Sequence, residues 1–342
     1  MSGALNALLL SFGLPTAAES ALLRACLVED AAARRGATID ELVAAMTDPA
    51  AGRRWMLPLL ADRLEREGRL SGGVGTRLRA AALHETGRSA TFDRITADML
   101  AMLDGAGVPA MLSRGHALAL HGYARSGLRH RHDLDLIVAE GRIAAAGAAL
   151  ARAGLGAWEG TAMWRHASGL RIMLHDRPLP CAATTLGSAD PWDGAASSRV
   201  EDVAFRTPSP TIILLHVLLL PPCSAGRGLA WVADAAVAIR AFPIDWDRIG
   251  AVEGVDAFDV LARLDYLART IELPIPAGPR ERLRQTIGRL DRTARDAALI
   301  RARRRGGARA MMREARTWAA RVALARWMLR PETRGAFGRP RP

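Results

Sequence analysis

The chain has 342 residues, half of them apolar, and a formal net charge of +12 in which every Lys/Arg-type cation is Arg. With no Lys anywhere, a Walker A phosphate loop and Schiff-base chemistry are excluded. A length prior of about 150 residues per domain suggests two or three structural units with ample material for a core.

Residues 1 to about 106 read as helical. Thr16-x-x-Glu19 and Thr38-x-x-Glu41 are both capping-box signatures. Ile39, Leu42, Val43 and Met46 recur at helical spacing after Thr38, and Trp55, Leu59, Leu60 and Leu64 do so in the next segment. Ser71-Gly72-Gly73 reads as a loop, and a further helix is predicted from about Thr91 to Leu103. The pattern then changes. Val108 to Leu112 resembles a short buried strand, Gly115 opens a helix, and Asp133 to Val138 starts with the alternation of a strand. A small-residue helix follows at Ile143 to Ala153, then short strands around Ala157, around Met163 and at Leu170 to Leu174. From Thr211 the chain is helical again, with segments at Leu229–Ile239, Trp246–Val252, Phe258–Leu267, Glu281–Leu290 and Met311–Met328. The expected fold is therefore α+β: a small mixed-sheet core at 107–206 between helical regions at 1–106 and 207–330, with a loose tail at 331–342.

The chemistry concentrates in Ser113-Arg114-Gly115-His116 and in the run from Gly127 through Arg129 and His130-Arg131-His132 to Asp133-Leu-Asp135. Alternate strand residues share a face, so Asp133 and Asp135 project together. Two adjacent carboxylates repel unless a cation lies between them, and Mg²⁺ takes one or two carboxylates plus phosphate oxygens. Gly115 at a helix start offers free backbone N–H groups to a phosphate. Arg114 and Arg129 have the planar fork that grips phosphate. His130-x-His132-Asp133 has the outline of a transition-metal cluster but lacks further ligands.

These residues carry a resemblance to the uncharacterised nucleotidyltransferases of the DNA polymerase beta-like superfamily. That family has a Lys-Gly pair before a helix, then Gly-x-Arg-x-x-x-Asp-x-Asp and aliphatics. Here Arg114-Gly115 is followed by Gly127-x-Arg129-x-x-x-Asp133-x-Asp135-Leu-Ile-Val. The similarity continues through His216, Leu229-x-Trp231-x-x-Asp234 and Asp245-Trp246, and covers roughly residues 90 to 275. It implies Mg²⁺-dependent transfer (Mn²⁺ is the alternative ion) of a nucleoside monophosphate from NTP to an acceptor, whether small molecule, peptide or protein. Asp133 and Asp135 would be catalytic metal ligands, and Arg114, Gly115, His116 and Arg129 would bind the nucleotide. His175, Asp176 and Asp234 are candidate accessory residues. Two departures stand out. Met173 occupies the position of the superfamily's third carboxylate, and His116 stands where Ser is usual. Met173 motivates the alternative of a degenerate nucleotide-binding or scaffold protein, because a thioether is a poor ligand for Mg²⁺.

From Arg280 onward 19 Arg face 5 acidic residues, an excess of +14, so residues 1–279 sum to −2. Such a segment could touch nucleic acid, but no aromatics interleave with Arg301-x-Arg303-Arg304-Arg305, so a solvated helical face is favoured. Trp231, Trp246, Trp318 and Trp327 fall at apolar helical positions and are expected to be core or helix-packing residues. The three widely spaced cysteines form no disulfide framework, the N-terminus lacks a basic leader and no apolar run spans a bilayer, all of which fits a cytoplasmic protein.

Overall fold

The computed structural model describes residues 2–29, 43, 53–158, 163–176, 192–219, 229–315 and 317–329. The N-terminal part is helical: α1 (Ser2–Ser11), α2 (Ala17–Leu27), a 3₁₀ turn (Arg53–Met56), α3 (Leu57–Arg66) and α4 (Gly72–Gly105). The mixed-sheet core follows with β1 (Ala110–Leu112), α5 (Arg114–His121), a 3₁₀ turn (Ser126–Leu128), β2 (Asp133–Val138) and α6 (Ile143–Arg152). It continues with β3 (Gly156–Ala157), β4 (Met163–Arg165), β5 (Arg171–His175), β6 (Ala196–Val200) and β7 (Val203–Thr207). Helices close the chain: α7 (Pro210–Leu219), α8 (Ala230–Ala241), α9 (Trp246–Gly250), α10 (Asp256–Thr270), α11 (Ala277–Arg289), α12 (Arg292–Glu314) and α13 (Trp318–Met328). The fold is α+β, as expected.

The start of α2 follows from its sequence. The Thr16 hydroxyl accepts from the Glu19 N–H, and the Glu19 carboxylate accepts from the Thr16 N–H at 2.8 Å, closing a capping box. The second such signature, at Thr38, lies outside the described residues. Helix α4 departs from expectation: it begins at Gly72, runs 34 residues, and carries Gly73, Gly75 and Gly87 within it. Glycine in a helix interior costs about 1 kcal/mol each. Tertiary packing outweighs that here, because α4 lies along α3 and also against β1, β6 and β7. The expected Met311–Met328 helix is two helices. Thr317 caps the second one, its hydroxyl accepting from the Ala320 N–H at 3.1 Å.

The seven described strands form one mixed sheet in the order β3-β4-β5-β2-β1-β7-β6. β2 runs parallel to β5 and antiparallel to β1, and β1 runs parallel to β7. The β6–β7 hairpin is not legible in the sequence, because Ala196–Val200 and Val203–Thr207 mix small, polar and charged residues at a sheet edge. One face of the sheet carries Leu112, Leu134, Leu136, Val138, Ile172 and Leu174, all buried. Helices α4 and α6 cover that face.

The N-terminal helices do not stand apart from the C-terminal ones. Helix α1 packs on α10, α12 and α13, and α2 packs on α8. Ser20 and Tyr266 share a hydrogen bond of 2.8 Å, and Arg24 donates to the Thr270 carbonyl at 2.6 Å. One hydrophobic cluster runs from Leu8 through the sheet to Trp327. Trp231 and Trp327 are buried in it and Trp246 packs at its margin, but Trp318 is 80% exposed. Trp318 is the first residue of α13, where the helical spacing extrapolated through the break no longer holds. No helix among the described residues is long and apolar enough to cross a membrane.

Candidate active site

The second face of the sheet can be read from its register. Directly opposed residues share a face. Asp133 lies opposite Arg171, Asp135 opposite Met173, and Ile137 opposite His175. Both carboxylates therefore project on the face away from α4 and α6, beside Arg171, Met173 and His175. Asp133 is partly open, with its side chain 35% exposed. Its Oδ2 lies 3.4 Å from His132 Nε2 and 3.8 Å from an Arg171 nitrogen. Asp135 is buried. Its Oδ1 accepts from Arg114 at 2.9 Å and from His175 Nε2 at 2.7 Å. Burial would raise the Asp135 carboxyl, but the His175 hydrogen bond and the Arg114 charge outweigh it and hold the group below its ordinary value. The carboxylate form is thus the resting form.

The turn from β1 into α5 lies against this pair. The Ser113 N–H donates to the Asp135 carbonyl at 3.0 Å. Arg114 then adopts φ +52°, a left-handed conformation that costs a non-glycine residue of order 1 kcal/mol or more. The turn aims the Arg114 guanidinium back at Asp135 and leads directly into α5. Gly115 is needed for contact as well as for turning, since a Cβ there would overlap the Arg129 guanidinium. His116 is almost fully buried, and its Nδ1–H donates to the Asp133 carbonyl at 3.0 Å. Burial first, then the Arg131 charge, pushes this imidazole well below its ordinary pKa, so it is neutral. Its side chain fixes the strand that carries Asp133.

The basic stretch before Asp133 turns inward. Arg129 donates Nε and a terminal N–H to the two Asp234 oxygens, each at 2.7 Å. Tyr123 donates its hydroxyl to the same carboxylate at 2.9 Å. Burial opposes the charge on Arg129, but Asp234 overcomes it and raises the guanidinium pKa. The fork expected to hold phosphate is thus engaged by α8, and Asp234 is the buried end of an interhelix clamp. Arg131 is also buried, paired with Asp93 of α4 at 2.6 Å. His130 donates its Nδ1–H to the Glu85 carboxylate at 2.9 Å and stacks on Trp55 with centroids 4.9 Å apart. His132 stacks on the same indole at 5.7 Å. The outline of a transition-metal cluster at His130 and His132 thus dissolves into a stack, and no group of three or more metal-ligating side chains occurs among the described residues. Gly127 permits the close approach of this segment to α4, because a Cβ would come within 3.0 Å of Thr86.

Met173 lies directly opposite Asp135. Asp176 falls beyond the end of β5 and takes no part in the ion pairs of Asp133 or Asp135. His175, by contrast, is at hydrogen-bond distance from Asp135. His216 of α7 is buried, and its charge when protonated would act on Asp135. Asp245 caps α9, accepting from the Asp247 and Arg248 N–H groups. Arg171 was not singled out from sequence, although the alternation Arg171-x-Met173-x-His175 places all three on one strand face.

A family model described as uncharacterised nucleotidyltransferase matches residues 49–272, about two thirds of the chain. The chain belongs to that family. No curated protein matches it, and no solved structure does. The match starts just before Trp55 and ends after α10. It therefore takes in both faces of the site: the Asp pair of the nucleotidyltransferase sheet and the Asp234 clamp of its helical part. As a nucleotidyltransferase the protein falls in the class that transfers a nucleoside monophosphate and uses a nucleoside triphosphate.

Proposed function

We propose that this protein is a Mg²⁺-dependent nucleotidyltransferase in which Asp133 and Asp135 hold the ion and the turn at Arg114-Gly115 receives the triphosphate. The observation that carries the reading is the juxtaposition itself. Two carboxylates share one strand face, and the Ser113 N–H bonded to Asp135 brings an arginine and a helix start beside them. Two carboxylates fit one Mg²⁺ that completes its shell with phosphate oxygens and water. Met173 offers no hard ligand for a second ion. Asp133 and Asp135 would hold the ion, which would supply neutralisation of the phosphate charge.

The chain's own residues do the rest. Arg114 balances Asp135 in the resting protein and is within reach of phosphate oxygens held there. The amides at the start of α5 add partial positive charge. His175 fixes the orientation of Asp135 through its Nε2–H. His116 and Arg129 act from beneath, one holding the strand and the other filling the space over Gly115. The acceptor oxygen displaces pyrophosphate from the α-phosphorus, and catalysis rests on positioning and charge neutralisation.

Labelled ATP, CTP, GTP and UTP, each with and without Mg²⁺, test the reading. One nucleotide is expected to bind only with Mg²⁺, and Asp133→Asn or Asp135→Asn should weaken binding or transfer by roughly a hundredfold or more. Retained activity in either variant rules the assignment out. Met173 favours a second reading, a nucleotide-binding protein that does not turn its ligand over. Met173→Asp distinguishes the two: a gain of metal affinity and transfer supports degeneracy of the native chain.

A further inference from the structure

We propose that the outer wing of the sheet is the acceptor subsite, built for an acceptor that carries an anionic group and a planar or apolar body. The inference rests on the reading of Asp133 and Asp135 as the transfer site and names what lies beside them. Register extends the site face across the wing. Asp133 is opposite Arg171, Arg171 opposite Arg165, and Arg165 opposite Gly156. The neighbouring row runs from Asp135 to Met173 and Met163, and then to Trp158, whose N–H donates to the Met163 carbonyl at 2.8 Å and continues the ladder. A row of cations thus lies alongside a row of two thioethers and an indole, and both rows end at the Asp pair. With strands about 4.8 Å apart, Arg165 stands about 10 Å from Asp133 and Trp158 about 14 Å from Asp135.

The two wings of this face differ in cover. Toward β1 it is closed: Ile137 and Met111 are buried, α5 packs on β2, and α7 packs on α5. Toward β3 it is open. Trp158 is 53% exposed, Arg165 is exposed, and Met163 and Met173 are partly so. Trp164, one residue along and on the opposite face, packs against the core. On the site face Trp158 thus keeps about half of its surface accessible, whereas Trp164 on the other face is packed. A depression of about 380 Å³ opens at Gly156, Ala157, Trp158 and Arg165. Arg165 makes no ion pair among the described residues, and Arg171 holds Asp133 only at 3.8 Å.

Direction assigns the occupant. The phosphates belong on the β1 side of the Asp pair, where α5 begins. The attacking and leaving oxygens of a transferred phosphoryl group lie roughly in line. The acceptor therefore enters from the other side of the pair, over β5, β4 and β3. Trp158 and the methionines would stack on its body, and Arg165 and Arg171 would meet its anion.

The full chain labelled with 5-fluorotryptophan tests this by ¹⁹F NMR, with Trp158→Phe identifying the resonance. The probes are phenyl phosphate, benzoate and neutral phenol, with Mg²⁺-ATP binding followed separately by calorimetry. Phenyl phosphate or benzoate is expected to shift Trp158 saturably, and which of them does so tells a phosphate from a carboxylate. Arg165→Ala, an exposed change, should weaken that binding roughly tenfold or more while leaving ATP affinity unaltered. No shift from either anion, an equal response to phenol, or a Trp158 shift driven by ATP itself overturns the proposal. Failure of ATP to bind while the aryl anion still shifts Trp158 overturns the acceptor role together with the transfer reading and leaves a plain anion site.

Discussion

Within the nine residues from Gly127 to Asp135, two charged groups of residues have opposite fates. The basic half, Arg129 to Arg131, faces inward and is tied to Asp234 of α8 and to Glu85 and Asp93 of α4. The acidic half, Asp133 and Asp135, faces the open side of the sheet, and its partners Arg114, Arg171 and His175 come from the neighbouring turn and strand. The difference shows how a site of this kind is held. The first half anchors the strand to helices on either side, and that anchoring allows the second half to keep two carboxylates together. Charge clustered in sequence is therefore no measure of charge clustered at a ligand.

The largest effect that would break this comparison lies in the clamp. Asp234→Asn should leave the buried Arg129 charge uncompensated and cost about 3–5 kcal/mol of stability, read as a lowered urea midpoint. Replacing both partners with apolar residues (Arg129→Met with Asp234→Leu) should cost much less, because no charge is stranded. Asp133→Asn should change stability by only about 0.5 kcal/mol, since its side chain is partly exposed. If Asp234→Asn were silent in unfolding but lowered nucleotide affinity as strongly as Asp133→Asn, the division between anchor and site would be wrong.

The sequence shows the acidic half more clearly than the basic one, for a physical reason. A strand's period of two fixes the shared face of Asp133 and Asp135 without any knowledge of partners. The direction of Arg129 depends on Asp234, 105 residues away, and on a bare Cα at Gly115, and no local pattern encodes either. His116 is similar: its spacing fits a helix start at a phosphate site, yet its ring is buried under β2. The helical flanks were legible where caps or apolar spacing were strong, as at Thr16. They were missed where glycines sit inside a helix held by packing, as in α4, and where an edge hairpin has mixed polarity, as in β6 and β7. The register that puts Arg165, Arg171 and Trp158 on the face of Asp133 becomes visible only when β3, β4 and β5 are paired.

A smaller effect separates the two halves by pH. Burial raises the Glu85 carboxyl, but hydrogen bonds from His130 and Arg88 outweigh it and leave the group below its ordinary value. A carboxylate with a folded pKa below its unfolded one contributes stability that is complete above the unfolded value. That contribution is lost as the pH falls through the folded one. Denaturant midpoints measured from pH 6 down to pH 3 should therefore fall less steeply in Glu85→Gln than in the native chain. An unchanged slope would mean that Glu85 does not anchor the basic half.

The smallest effect concerns the Arg-rich C-terminal segment, whose charge excess looks from sequence like the most prominent electrostatic feature of the chain. Among the described residues, five of its arginines are paired on the protein itself: Arg280 and Arg284 with Asp265, Arg282 with Asp247, Arg292 with Asp296, and Arg301 with Asp256 and Asp259. Arg284 meets both Asp265 oxygens at 3.0 Å, but it is 40% exposed, and Arg269 and Arg280 share the same carboxylate. Arg284→Gln should thus cost no more than about 0.5–1 kcal/mol, and less as salt is raised. These arginines resemble the basic half of the Gly127–Asp135 run in neutralising local carboxylates, and differ from it in being wet. A loss of several kcal/mol that persists in high salt would place Arg284 with Arg129 as a buried anchor. A small loss that salt removes would confine the anchoring role to the arginines beneath the sheet.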